Sequence, residues 1–303
     1  VKKAMFVGGC VRKYLLNQDI DDIDIATSLK TDQIKEIFLN TKFKVVDSGI
    51  KHGTVTLVSD KLKLLIGGRH DSFDITVKDI KNGSAQSRED KEFSPRAGII
   101  FKPRENVSLY YSYSESFLPR SGEQFKSLSA SSAALDPDVF ESSEIGAKVE
   151  ITDDLGFTIA YFDSEQVRAV RDSVSGETSE IVGLQVDGLE LEVKGNINDK
   201  MSLIFGYSSL DGKTSKGGEP REIPDHTLSL FATYEVSDKF GWALGITQQG
   251  ESNIGNDKPG LVLPEYTRVD LGAYYQIADD LSVQMNLENL TDELYFPHSH
   301  STH

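Results

Sequence analysis

From Lys61 onward the side chains alternate between apolar and polar with a period of two, and this feature restricts the fold more than any other. The clearest runs are Val107-Leu109-Tyr111-Tyr113, Ile145-Ala147-Val149-Ile151, Phe157-Ile159-Tyr161 and Leu203-Phe205-Tyr207. Further on come Leu228-Leu230-Ala232-Tyr234-Val236, Trp242-Leu244-Ile246, Val269-Leu271-Ala273-Tyr275-Ile277 and Leu281-Val283-Met285-Leu287. In an extended chain successive side chains point to opposite faces, so each run predicts a strand with one apolar and one polar face. Leu184-Val186 changes phase to Leu189-Leu191-Val193 across Gly188, which predicts a bulge there.

The connections alternate in length. Short turns occur at Pro103 to Asn106, Thr152 to Asp154, Asn196 to Asp199, Ser237-Asp238 and Ala278 to Asp280. Long polar stretches occur at Leu118 to Glu141, Arg171 to Glu180, Asp211 to Pro224 and Gly250 to Pro264. Short turns at one end and long loops at the other are the layout of an outer-membrane barrel. Phe101, Phe117, Tyr207 and Tyr266, near strand ends, fit aromatic girdles. A soluble up-and-down β protein or a sandwich is the alternative that the pattern leaves open. No run approaches the roughly 18 apolar residues of a membrane helix, which says nothing against a barrel.

Charge divides the chain unevenly. The net charge is -16, yet Val1 to Asp60 holds nine Lys or Arg against eight Asp or Glu, leaving 23 against 40 for the rest. The acidic part is a poor ligand for phosphate backbones. Cys10 is the one cysteine and reads as a small packed residue. The start shows no secretory signal pattern. His298, His300 and His303 read as a terminal tail rather than a metal site, and nothing resembles a nucleophile elbow.

The first sixty residues have a different grammar. Met5 to Val7 reads as a strand end, Gly8-Gly9 follows, and Val11, Tyr14 and Leu15 fall at helical spacing. A strand, a double glycine and a helix start can present backbone amides to an anion. Asp22 and Asp24 lie two apart on a predicted strand and so share a face. That arrangement suits either a solvated pair or a shared divalent cation. Thr31 predicts a helix cap, with Ile34, Ile37 and Phe38 as the buried stripe. Phe43 to Val46 and Thr54 to Val58 read as strands.

Together, Gly8-Gly9-Cys10-Val11-Arg12, Asp22-Ile23-Asp24-Ile25-Ala26-Thr27 and Gly49 to Val55 resemble the head domain of bacterial tRNA CCA-adding enzymes and poly(A) polymerases. The resemblance covers residues 1 to about 58. It implies that Gly8, Gly9 and Arg12 contact a nucleotide triphosphate and that Asp22 and Asp24 hold a catalytic Mg²⁺. Lys13 departs from the Asp common in that family, and the later motifs that select the base and hold tRNA do not follow.

The rest is similar to TonB-dependent siderophore receptors. The stretches are Leu65 to Asp71, Ser94 to Pro119, Phe140 to Val149, IPDHTLSLFATYEV and LPEYTRVDLGAYYQIADDLSVQMNLENLTDELYF. This resemblance covers about Lys61 to His303. It implies a share of a 22-strand outer-membrane barrel that admits ferric siderophores, driven by TonB. Loops Leu118 to Glu141 and Asp211 to Pro224 would face the ligand, with no individual siderophore-binding residue assigned.

The expected fold is therefore mainly antiparallel β, a partial outer-membrane-type β-barrel of about eleven strands. A small α/β nucleotidyltransferase-head fragment precedes it. The expected domains are 1–58, a truncated head, and 61–303, a partial barrel without plug, TonB box or final strand, joined within about residues 58 to 62. Val55 to Asp74 then reads as a seam crossed by few tertiary contacts. The larger part implies outer-membrane lipid as its surroundings, while the lack of a signal pattern leaves retention in the cytoplasm open. Other readings are an RNA-processing nucleotidyltransferase, with nucleotide or tRNA as partner, and a soluble β-rich binding protein. The chain is expected to be active neither as a transporter nor as a transferase. Incubation with CTP, ATP and Mg²⁺ should add nothing to tRNA lacking its CCA end, as followed by incorporation of labelled nucleotide.

Overall fold

The computed structural model describes residues 4–7, 24–27, 31–46, 54–59, 61–78, 80, 83, 85–119, 136–171, 178–257 and 260–299. The first elements are β1 (Ala4–Val7), β2 (Asp24–Thr27), α1 (Thr31–Phe38), β3 (Lys44–Val46) and β4 (Thr54–Val58). Long strands follow: β5 (Leu62–Lys78), β6 (Ala85–Arg104), β7 (Val107–Leu118), β8 (Asp138–Thr152), β9 (Leu155–Arg171), β10 (Thr178–Asn198) and β11 (Met201–Thr214). Then come β12 (His226–Ser237), β13 (Phe240–Gln249), the short β14 (Ser252–Asn253) and β15 (Val262–Leu263), β16 (Tyr266–Ala278) and β17 (Leu281–Leu287). Thirteen strands, β3 to β13 with β16 and β17, form one sheet in chain order, every neighbouring pair antiparallel.

Register turns the sequence alternation into two continuous faces. Val107, Val149, Phe157, Val193, Phe205, Leu230, Ile246 and Val269 stand opposite one another in turn, forming one apolar row across eight strands. The adjacent positions Ser108, Lys148, Thr158, Glu192, Gly206, Ser229, Thr247 and Arg268 form a second row in the same way, polar or glycine throughout. Because the period is two, the rows lie on opposite faces. Among the described residues, neither face is packed against a second layer. The buried apolar residues among those described are only Ala160, Ala232, Leu263 and Tyr266, while Ile145, Leu189, Met285 and many others stay exposed.

The eleven strands expected after Lys61 are present in this sheet, but its boundary is not at Lys61. β4 pairs along its whole length with β5, from Thr54 opposite Gly67 to Val58 opposite Lys63, and β3 pairs with β4. The Ser59 amide donates to the Leu62 carbonyl at 2.8 Å and closes the turn. The expected seam is thus a hairpin: two runs of β-forming residues joined by a short polar turn continue one ladder through it. By contrast, β1 and β2 make a separate two-stranded sheet.

Three local expectations are corrected. Gly188 carries no bulge; its register is continuous towards both β9 and β11, and the irregularities fall at Val182/Leu184 and Asn196/Asn198. Its role is close approach, since a Cβ there would lie 2.6 Å from the Ser209 carbonyl oxygen and 3.0 Å from the Phe162 ring. Tyr266 is not at a girdle; it is buried, with its ring stacked on Tyr295 at 4.8 Å. Of the stripe of helix α1, Ile37 is 52% exposed among the described residues, and Phe38 meets Phe43 edge-on at 6.2 Å.

The segment after β17 folds back along β16 and reaches the long loops. The Asp270 carboxylate accepts from the Asn289 amide at 2.8 Å, and Arg268 donates to the Tyr295 hydroxyl at 3.2 Å. At the far end the Ser299 amide and hydroxyl both donate to Glu222, each at 2.7 Å, and Arg221 donates to the Ser299 carbonyl at 2.8 Å. These donors, the Ser299 hydroxyl first, then its amide and Arg221, hold the Glu222 carboxyl down at about 2.

Two outcomes follow from these contacts. Gly188→Val should destabilise the chain by ~1–3 kcal/mol in urea unfolding, because the overlap is with backbone. The Glu222 carboxyl sits below its ordinary 4.5 in the folded chain, so its tie contributes fully above that pH and fades as pH falls toward about 2. Hydrogen exchange at the Ser299 amide should speed up through that window, and Glu222→Gln should abolish the pH dependence.

Candidate functional site

The polar face carries the densest group of chemistry-bearing side chains. Tyr110 on β7 donates its hydroxyl to Glu144 on β8 at 2.5 Å, and the Lys148 ammonium lies 5.5 Å from the Tyr110 ring centroid. Tyr110 leans over Gly146, where a Cβ would come within 2.6 Å of the phenol, so a small residue opposite is what lets the ring lie flat on the sheet. Glu190 and Glu192 follow on β10, and Gly206, Ser208, Thr227 and Ser229 extend the surface over β11 and β12. These residues line a concavity of about 420 Å³, with three carboxylates and one lysine around it. Small or hydroxylated residues on its far side leave room for a partner above the sheet. The chemistry is recognition: charged-residue hydrogen bonding and a cation held over an aromatic ring. Among the described residues no three His, Cys, Asp or Glu side chains converge as metal ligands.

The long-loop end is the second structured region. Arg221 bridges to Asn253 across two loops, and the Arg221 amide donates to the Asn256 side chain at 2.7 Å. Thr214 donates to Asp257, and Asn253 to Glu219. Glu222 and Asp257 both adopt left-handed backbone, φ 57° and 54°, held by these bonds.

Of the residues singled out by sequence at the N-terminus, Gly8, Gly9, Arg12 and Asp22 lie outside the described residues, and so do Cys10, His300 and His303. Asp24 begins β2 and stands opposite Val7, the last residue before Gly8-Gly9. The loop Leu118 to Glu141 is described only at its ends, and β8 already begins at Asp138. Sequence reading assigned no role to Tyr110, Glu144, Lys148, Glu190 or Glu192. Their alternation with apolar neighbours marked them as one face, but only the register brings side chains from these three strands to one place.

Comparison with known proteins agrees with this architecture. Residues 19–290 match the family model described as TonB dependent receptor-like, beta-barrel, a match that begins well before Lys61 and takes in Asp22 and Asp24. Among curated proteins, the probable TonB-dependent siderophore receptor PiuA of Acinetobacter baumannii is 29% identical over 276 residues, covering 81% of this chain and 37% of PiuA. The ferripyoverdine receptor of Pseudomonas aeruginosa is 29% identical over 264 residues, covering 79% of this chain and 31% of the receptor. This chain thus spans about a third of the length of these relatives. The crystal structure of PiuA superposes with a TM-score of 0.69 at 26% identity, over 82% of this chain and 40% of PiuA. No nucleotidyltransferase head finds support in these matches. With 272 residues of continuous match and the same sheet, the chain belongs to the TonB-dependent receptor-like β-barrel family.

Proposed function

We propose that the chain is part of an outer-membrane receptor that takes up ferric siderophores under drive from TonB. The observation that carries this is the two-faced, single-layer sheet. In water, a sheet of this size with one continuous apolar face needs a second layer to cover it. None is present among the described residues, so the soluble sandwich fits poorly, whereas a bilayer covers such a face directly. β10 has 21 residues, about twice the 9–11 that a tilted membrane strand needs. The extra length extends strands such as β10 beyond the thickness that a bilayer core requires. The names of the relatives, a siderophore receptor and a ferripyoverdine receptor, supply the ligand class. In lipid, the outer edges of β3 and β17, which end the sheet order, require strand partners.

A second reading applies to residues 1–58: a nucleotidyltransferase head in which Gly8, Gly9 and Arg12 meet the nucleotide and Asp22 and Asp24 hold Mg²⁺. One observation favours it. β1 and β2 pair so that Asp24 sits beside the strand end leading into the double glycine. Saturable, Mg²⁺-dependent ATP or CTP binding that Asp24→Asn removes would support it; no such binding would end it.

Expressed with an export signal, the chain should fractionate with outer membranes and migrate heat-modifiably; recovery as a soluble monomer would overturn the receptor reading. Ile159 and Thr158 are neighbours on opposite faces. Ile159→Arg should cost ~2–4 kcal/mol of stability in lipid vesicles, and Thr158→Arg much less.

A further inference from the structure

Between the loops after β11 and β13 lies a small cavity of about 70 Å³, lined among others by Asp211, Glu219, Asp225, Glu251, Ser252 and Asn253. The Asp211, Glu219, Asp225 and Glu251 residues around it are exposed, whereas Ser252 and Asn253 beside them are buried. Two of these carboxylates already have partners: Lys213 pairs with Asp211 at 3.0 Å, and Asn253 donates to Glu219. Arg221 is committed elsewhere, donating to Glu222 and the Ser299 carbonyl. Among the described residues, Asp225 and Glu251 have no side-chain hydrogen bond or ion pair. A second observation points the same way. Ser252 is 4% exposed, lines this cavity, and its buried hydroxyl has no hydrogen-bond partner. An unmade hydrogen bond of this kind is costly, and a cation seated beside the unpaired Asp225 and Glu251 carboxylates gives the orphan hydroxyl oxygen a partner.

We propose that this cavity binds a small hard cation: Ca²⁺, Mg²⁺ or the ammonium head of a primary amine. The donors are all oxygen or amide, which excludes a thiolate or imidazole site. Three carboxylates do not converge at one point, so the set is at most two carboxylates with neutral oxygens. Such a set gives weak binding, of the order of 0.1–1 mM for Ca²⁺ in extracellular modules. Binding would tie the 211–225 loop to the 251–263 loop. The inference does not rest on the transport reading.

The test uses the full chain folded in detergent micelles. Thermal unfolding and titration calorimetry are run with calcium chloride, magnesium chloride and methylammonium chloride, each against sodium chloride at matched ionic strength. At least one probe should raise the unfolding temperature saturably; response to the metals alone identifies a metal site, and response to methylammonium an amine site. Glu251→Gln and Ser252→Ala should each weaken that response by roughly tenfold, a loss of about 1.4 kcal/mol. Ser252→Ala should not lower the stability of the cation-free chain, since it removes an unpaired hydroxyl. No saturable response to any probe, or an equal response in both variants, would overturn the proposal.

Discussion

Strand register is the constraint on which the rest of this structure depends. A slip of one residue between any two strands would turn half of the sheet inside out, placing Glu192 and Lys148 in the row now held by Val193 and Val149. Hydrogen bonding alone does not forbid such a slip, because the backbone ladder is satisfied at either register. What fixes it is the cost of moving whole rows to the wrong face, repeated over eight strands. The short turns hold the same registers from below. At Asp153-Asp154, Asp199-Lys200, Asp238-Lys239 and Asp279-Asp280 two residues reverse the chain, leaving little slack. The irregularities in register fall close to these turns or at Val182/Leu184, outside the apolar rows.

The two ends of the sheet are held by different physics. At the short turns, ladder bonds and two-residue reversals suffice. Toward the long loops, polar side chains take over: Glu222, Arg221 and Ser299 join the last segment to the loop after β11, and Asn253 and Asp257 tie that loop to the one after β13. Such bonds are individually modest, and several of the groups are solvent-accessible. The loop end is therefore the part of the chain whose geometry depends on individual polar contacts. A recognition surface built on loops above a rigid sheet is a common division of labour.

Much of the architecture was legible because alternation is local. Ile145 to Ile151 or Leu281 to Leu287 declares a strand and its two faces without reference to any other part of the chain. What depends on two strands at once was not legible. Gly188 reads as a phase break in one strand; only its neighbours Ser209 and Phe162 show that it is a close approach. Tyr266 reads as an interfacial aromatic; only the returning Tyr295 shows that it is buried. The group around Tyr110 escaped for the same reason, being assembled from six strands spread over some hundred residues.

The stretch from Val55 to Asp74 shows how motif and topology can divide a chain differently. By motif, Thr54 to Val58 closes a run of residues that resembles a nucleotidyltransferase head. By topology, the same five residues are the neighbour of β5 in the main sheet. Both descriptions are compatible with the physics, because a strand of Thr, Val and Leu carries no record of which ladder it was selected for. Any β-forming run brought beside an unpaired edge by a three-residue polar turn satisfies that edge. Pairing of β3 and β4 onto β5 is therefore weak evidence of common origin, whereas a family match running from residue 19 through both sides of the turn is evidence of another kind, drawn from the residues themselves. By topology, the long sheet begins after the interval between β2 and β3, since β1 and β2 pair with each other and not with it.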